Sequence, residues 1–98
     1  MAIVAVFQAP GLTQEIYEET VRRLTGGLRT SMQAASDWPV PGLLAHIAGG
    51  AAGGFRVVDV WESEEAFNRF GEHLMPVLQE VGVQGTPDIY PAYAFVVG

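Results

Sequence analysis

The sequence has no cysteine, which excludes disulfides, thiolate nucleophiles and thiolate metal sites. It also has no lysine, so Schiff-base chemistry and a P-loop lysine are excluded. The five arginines are scattered and the net charge is −6, whereas binding to repeated phosphates needs clustered cations. We therefore expect no nucleic-acid partner and, for the same reason, no attraction to an anionic membrane surface.

Long hydrophobic runs are missing as well. No stretch approaches the length of a membrane span, and Met1 to Gly11 lacks both a basic region and an apolar run of signal-peptide length. A cytoplasmic location is the default expectation. The 98 residues suit one domain, 1–98.

Charge is scarce for a domain of this size. Charged residues are 16% of the chain and hydrophobic residues 49%, while a soluble domain is usually about one quarter charged. A small domain has much surface to solvate. Either apolar side chains face water or a partner covers them.

Four apolar runs rich in β-branched or aromatic residues predict strands. They are Ala2–Gln8, Leu43–Ala48, Phe55–Glu62 and Ile89–Val97. The second and third are joined by the glycine-rich range 49–54, so they should form an antiparallel hairpin. Pro91 should lie near the start of the last strand or on a sheet edge.

Two segments with apolar residues three and four apart predict helices. Thr13 caps the first, whose stripe reaches Leu28 and for which Gly26 and Gly27 offer a stop. Ser63 caps the second. Pro76 should kink or restart the second helix. The range 30–42 has two prolines and no period, and predicts a loop with room for one helical turn.

The order of these elements predicts an α+β fold of the ferredoxin-like βαββαβ type. Right-handed crossovers place both helices on one face of a four-stranded antiparallel sheet. The strands are apolar on both sides. In the first strand, for example, Val4 and Val6 face one side of the sheet and Ile3 and Ala5 face the other. A second copy would cover the bare face and form a dimeric α/β barrel, a homodimer through its sheets. The alternative is that the loop 30–42 folds over that face.

The hairpin brings His46 and Asp59 together. If its turn centres near residues 51–52, Leu44 opposes Asp59 and His46 opposes Val57. The two ionisable residues are then diagonal neighbours, about 7 Å apart at the backbone. Their shared face also carries Leu44, Ala48, Phe55, Val57 and Trp61.

A carboxylate that orients an imidazole is a general-base arrangement, so His46 and Asp59 are the candidate catalytic residues. The alternative is that the pair only satisfies its own hydrogen bonds inside an apolar layer. A register change of one residue would separate the two side chains onto opposite faces.

Further residues are candidates for a pocket wall. His73 lies one turn from Phe70 on the second helix, and it either faces the pocket or is a boundary residue half in water. Trp61 is a wall or simply core. Trp38, before Pro39 in the long loop, suits a lid or a docking anchor. No spacing of the two histidines supports a metal site.

The run RVVDVWESEEAFNRF, with GLLAHIAG before it, resembles the dimeric α/β-barrel superfamily, and in particular the antibiotic biosynthesis monooxygenase domain. The most specific part is W-E-S-x-x-A-F, from Trp61 to Phe67. The resemblance implies a cofactor-independent monooxygenase acting on an aromatic or polyketide-like substrate, whose own anion activates oxygen. The protein then supplies a base and a dry cavity, with His46 and Asp59 as the base and Trp61 as a wall.

The same superfamily implies two alternatives. One is a non-catalytic or stress-related dimer that holds a small apolar or aromatic ligand. The other is a haem-degrading enzyme, in which Trp61 matches a site tryptophan and His73 falls near a site histidine. Strand one carries Gln8 where that group has an asparagine. We therefore expect no cofactor, with haem as the alternative.

Overall fold

The computed structural model describes residues 1–51 and 54–98. The elements follow in the order β1 (Ile3–Phe7), α1 (Gln14–Leu24), β2 (Leu43–Ala51), β3 (Gly54–Trp61), α2 (Glu64–Val81) and β4 (Asp88–Pro91). A single 3₁₀ turn at Ala35–Asp37 lies between α1 and β2. The predicted turn near residues 51–52 lies partly outside the described residues.

The four strands form one antiparallel sheet in the order β2-β3-β1-β4. Both helices pack on the same face of it. This is the ferredoxin-like α+β arrangement predicted from the element order. The two middle strands, β3 and β1, carry the core, and β2 and β4 are the edges.

Helix α1 begins where the sequence predicts and ends just before the predicted stop at Gly26 and Gly27. The Thr13 hydroxyl accepts a hydrogen bond from the Ile16 backbone N–H at 3.2 Å, which satisfies one of the free donors of the first turn. Gly26 and Gly27 have positive φ, 64° and 92°, and this conformation ends the helix. The prediction that Leu28 belongs to the apolar stripe is wrong, because Leu28 follows this turn and is 83% exposed.

Helix α2 runs unbroken through Pro76, so the predicted restart does not occur. Ser63 caps it by accepting from the Ala66 backbone N–H at 3.0 Å. Pro76 is exposed, and water can therefore solvate the backbone carbonyl that lacks its usual donor. Leu74 and Leu78 are buried on either side of it. Within the described ranges no helix combines the length and apolar composition that crossing a bilayer requires.

The core lies between the sheet and the two helices. From the sheet, Ile3, Ala5 and Trp61 are 6%, 0% and 0% exposed. The helices add buried side chains at three- and four-residue spacing, as the periodicity predicts. These are Tyr17, Thr20 and Val21 of α1 and Ala66, Phe67, Phe70, Leu74 and Leu78 of α2.

The other face of the sheet is apolar and carries neither helix. Strand register places Val4, Val6, Val58, Val60, Ile47 and Tyr90 on it. Ile47 is 66% exposed and Tyr90 54% exposed. The loop 30–42 does not supply its buried tryptophan to this face, because Trp38 stacks on Phe70 of α2 on the helix side.

Strand β4 is shorter than predicted. It spans Asp88–Pro91, whereas the apolar run predicts Ile89–Val97. The reason is its partner: Pro91 pairs with Ile3, the first residue of β1. Beyond it, the Ala92 N–H reaches the Ala2 carbonyl at 2.9 Å. Tyr93 and the residues after it are exposed.

Candidate functional site

His46 and Asp59 lie directly opposite each other on β2 and β3. The predicted register, with His46 opposite Val57, is wrong by two residues, since Val57 pairs with Ala48. A shift of two keeps each side chain on its own face. The two residues therefore share the helix-covered face, and His46 Nδ1 lies 2.6 Å from Asp59 Oδ1.

Asp59 is 1% exposed and both of its carboxylate oxygens have partners. Oδ1 bonds His46, and Oδ2 accepts from the indole N–H of Trp61 at 3.3 Å. A buried carboxylate is costly unless it is hydrogen-bonded in this way. The hydrogen bond from Trp61 therefore helps to satisfy the buried Asp59 carboxylate.

Tyr17 extends the pair into a chain of three side chains. Its hydroxyl lies 2.7 Å from His46 Nε2. Its ring also lies near those of His46 and Phe55, with centroid distances of 5.8 and 5.3 Å. Tyr17 is on α1, so the helix that covers the sheet completes the site.

Sequence reasoning did not assign Tyr17 to the site. The spacing of the tyrosines carries no information about chemistry. The available indication was its place in the apolar stripe of α1, because a buried tyrosine needs a partner for its hydroxyl.

The hydrogen-bond roles follow from the chemistry of the three groups. An ionised carboxylate only accepts, so Nδ1 of His46 donates to Asp59. When the imidazole is neutral, Nε2 must then accept, and the Tyr17 O–H donates to it. Both ring nitrogens are engaged, and the phenol oxygen is the outermost atom of the chain.

Burial raises the pKa of Tyr17, and the negative charge of Asp59 adds to this effect. A backbone hydrogen bond from Met32 acts in the opposite direction, as an amide donor stabilises the phenolate. The balance keeps the phenol neutral at ordinary pH, so Tyr17 has a proton to pass to His46.

The three residues line a mostly apolar cavity between β1, β3, α1, α2 and the loop that carries Trp38. Among its polar lining residues, Thr20 already donates to the Ile16 carbonyl at 2.8 Å. The Tyr17–His46–Asp59 chain is thus a polar cluster in an otherwise mostly apolar cavity. The apolar lining includes Phe7, Leu12, Val21, Leu24, Trp38, Val57, Phe70, Leu74, Leu78 and Val83.

The cavity measures about 60 Å³. A cavity that holds benzene measures about 150 Å³, so this space takes only the edge of a ring. Exposed lining residues Gln8, Gln84, Gly85 and Thr86 mark its open side. The remainder of a larger ligand would lie toward that side.

Trp38 lines this cavity as well. It is 7% exposed and stacks on Phe70 at a centroid distance of 5.3 Å. It also meets the ring of His46 edge to face at 5.6 Å. Trp38 and Phe70 therefore lie at the pocket, where the sequence analysis placed them, and Val57 lines it too.

The other predicted wall residues lie elsewhere. Trp61 is fully buried against Phe70, at 4.9 Å, behind Asp59, and Phe55 is buried beside Tyr17. Leu44 is 43% exposed because a bulge between Leu43 and Ala45 turns its side chain away.

His73 is exposed on α2, which does not favour the predicted approach to the pocket. Among the described residues, no group of three or more His, Cys, Asp or Glu side chains is arranged to hold a metal ion. The geometry at His73 therefore gives no support to haem binding through this residue.

No protein-family profile, curated protein or solved structure matches the chain. Function must therefore be argued from the site itself.

Proposed function

We propose that this protein binds an aromatic or polyketide-like small molecule and removes a proton from it, as a cofactor-independent monooxygenase does. The observation that carries the proposal is the Tyr17–His46–Asp59 chain, whose three residues line a mostly apolar cavity. An ordered acid–base chain at a dry pocket is a typical arrangement for proton abstraction.

The proton path follows the hydrogen bonds. A ligand C–H or O–H proton passes to the Tyr17 oxygen while the Tyr17 proton passes to His46 Nε2, 2.7 Å away. The imidazolium that forms is stabilised by Asp59, which bonds Nδ1 at 2.6 Å. Tyr17 is then the group that touches the ligand, and His46 and Asp59 act through it.

Molecular oxygen completes the reaction. The ligand anion transfers one electron to O₂, and the two radicals combine to a peroxide anion. This anion takes back the proton held at His46 through Tyr17, and the hydroperoxide so formed loses water to leave a ketone. For an anthrone methylene the balance is R₂CH₂ + O₂ → R₂C=O + H₂O. Apolar walls such as Phe70 and Leu74 leave the anion poorly solvated, which favours its oxidation.

Oxygen uptake with anthrone as the probe tests this proposal. We expect Tyr17→Phe and His46→Ala to lower the protein-dependent rate by about 100-fold or more. His73→Ala is the matched control, since this other histidine is exposed, and it should leave the rate unchanged. A His46→Ala variant as fast as the wild type would refute the proposed base.

A second candidate is ligand binding without turnover. It is favoured by the Tyr17 hydroxyl, which occupies His46 Nε2 and keeps the imidazole from direct contact with a ligand. Anaerobic exchange of the anthrone methylene protons with deuterium separates the two functions. Exchange supports proton abstraction, whereas binding without exchange supports a carrier.

We also propose that the protein acts as a homodimer through its open sheet face. The middle strands present Val4, Val6, Val58 and Val60 on this face, and the edge strand β2 adds the exposed Ile47. At one end Arg56 donates to Gln8 at 2.7 and 3.0 Å, and Asp88 lies opposite Val6. An apolar centre with a polar rim is typical of interfaces, and a two-fold axis brings one such face against its copy.

Sedimentation at micromolar concentration tests the dimer. The wild type should sediment as a dimer, and Ile47→Asp should shift it to the monomer because it buries a charge at the interface. Leu28→Asp is the control, since Leu28 is exposed outside the sheet. A monomeric wild type would refute the dimer.

A further inference from the structure

The indole N–H of Trp38 is the unpaired donor of the site. Its Nε1 atom is buried and has no hydrogen-bond acceptor in the part of the chain that the structure describes. An indole N–H can only donate, and a buried donor without an acceptor is unfavourable. The other tryptophan, Trp61, shows the usual solution, because its N–H is bonded to Asp59.

The position of Trp38 is fixed by its neighbours. The Asp37 carboxylate accepts from the backbone N–H groups of Gln33 and Ala34 at 2.8 and 3.0 Å. On the other side Phe70 stacks on the indole. Trp38 also lines the ligand pocket, so its unpaired donor belongs to a residue that a bound ligand would contact.

We propose that Trp38 is a specificity residue that donates its N–H to a carbonyl oxygen of the ligand. This inference rests on the proposed proton abstraction and names its substrate class: cyclic aromatic ketones with an acidic C–H conjugated to the carbonyl. A hydrocarbon of the same shape would leave the Trp38 donor unpaired.

The unpaired Trp38 donor and the Tyr17–His46 pair belong to residues that are in contact at the pocket. The Trp38 and His46 rings are 5.6 Å apart, and Tyr17 lies next to His46. We infer that a ligand placed at this cavity can meet Tyr17 with its C–H and Trp38 with its carbonyl oxygen, because both residues line it.

The charges that develop at the Tyr17–His46 pair and at the Trp38 N–H during proton abstraction are complementary. When the C–H proton leaves toward Tyr17 and His46, the electron pair of the broken bond moves onto the carbonyl oxygen as an enolate. The Trp38 N–H then faces a full negative charge, and hydrogen bonds to charged groups are the stronger ones. Trp38 thus favours the ionised ligand over the neutral one.

Binding of two matched ligands tests the inference. Anthrone and 9,10-dihydroanthracene share the three-ring frame and the methylene group, but only anthrone has the carbonyl. We expect Trp38→Phe to weaken anthrone binding by about tenfold, the effect of one lost hydrogen bond, and to leave dihydroanthracene binding nearly unchanged. Equal losses for both ligands would make Trp38 an apolar wall only and overturn the inference.

A closer isostere guards against a folding defect. Benzothienylalanine at position 38 keeps the two-ring shape and replaces the N–H by sulfur, and it should give the same selective loss. If the loss is selective but wild type consumes no oxygen with anthrone, the oxygenase proposal fails and the role of Trp38 stands. If wild type binds neither ligand, the inference is overturned.

Discussion

The hydroxyl of Tyr17 lies 2.7 Å from Nε2 of His46, which is 29 residues further along the chain. This contact joins α1 to the edge strand β2 at the cavity that both residues line. It makes a phenol, rather than the imidazole, the outermost group of the acid–base chain. The role of His46 therefore depends on the hydrogen bond between its other ring nitrogen, Nδ1, and Asp59.

Replacing Asp59 by asparagine tests that dependence. The side chain keeps its size but loses the charge that stabilises the imidazolium, so anthrone-dependent oxygen uptake should fall at least tenfold, or about 1.4 kcal/mol in barrier. In wild type, ¹⁵N NMR should show neutral His46 protonated at Nδ1. Asp88→Asn, at an exposed position, is the control. Wild-type uptake in Asp59→Asn would contradict the prediction.

The buried Tyr17 phenol should lose its proton at a higher pH than a free tyrosine does. Burial raises the pKa of Tyr17, so the folded state holds this proton at pH values where the unfolded chain, with an ordinary tyrosine pKa of about 10, releases it. The resulting stabilisation is complete below that pH and is lost as pH rises through the higher folded pKa.

The difference in phenolate absorbance between wild type and Tyr17→Phe reports this titration. We expect a midpoint above that of free tyrosine, and a shallower alkaline loss of stability in Tyr17→Phe. A midpoint at or below the free value would show that the hydroxyl is not buried as described.

Acid should loosen the segment before Trp38. Backbone N–H bonds from Gln33 and Ala34, together with the Arg29 guanidinium at 3.6 Å, lower the pKa of Asp37. A lowered folded pKa means that the stabilisation is present above the ordinary pKa of about 4 and is lost as pH falls through the folded value.

Urea unfolding at a series of pH values measures this contribution. The gap in stability between wild type and Asp37→Asn should be constant above about pH 5 and should narrow toward acid. Parallel curves down to acid pH would exclude Asp37 as the anchor of the loop.

Gly42 controls how closely the loop approaches α2. Its φ is +114°, and a Cβ atom there would lie 2.7 Å from Ala66 Cβ. Gly42→Ala should therefore lower the free energy of unfolding by about 1–3 kcal/mol. Gly71→Ala, inside α2 with open space around it, should instead be neutral or raise stability by up to about 1 kcal/mol. Equal effects of both substitutions would contradict this account.

Local chemistry made the fold predictable. The caps at Thr13 and Ser63 and the three-and-four spacing of the helices depend only on near neighbours. The order of elements then leaves few topologies, and the observed sheet is the predicted one. The shared face of His46 and Asp59 was predictable for the same reason, because strand side chains alternate.

Details set by distant neighbours were not predictable. The range 49–54 contains only glycine and alanine, whose small side chains do not select one register, so the predicted register was wrong by two residues. A bulge after Leu43 moved Leu44 outward, and nothing in the local pattern marks it. Strand β4 ends at Pro91, which pairs with Ile3 at the start of β1. The apolar run continues past Pro91, so the sequence pattern does not show where the strand ends.

The partner of Tyr17 was beyond sequence reasoning for a geometric reason. Which strand residue a helix side chain meets depends on how the helix crosses the sheet, and no local pattern encodes that angle. The same holds for Trp38, whose loop has no period, although its large ring was a reasonable candidate for a lid.

The acid–base chain is drawn from segments that meet at different sequence distances, and this affects how the site assembles during folding. His46 and Asp59 are 13 residues apart within one hairpin, a short loop to close, whereas Tyr17 must arrive from a helix 29 residues away from His46. Contacts between near segments form with less loss of chain entropy. A nascent chain with the hairpin formed and α1 still undocked would hold the imidazole–carboxylate pair without its phenol, and the proposed proton transfer would require α1 to dock first.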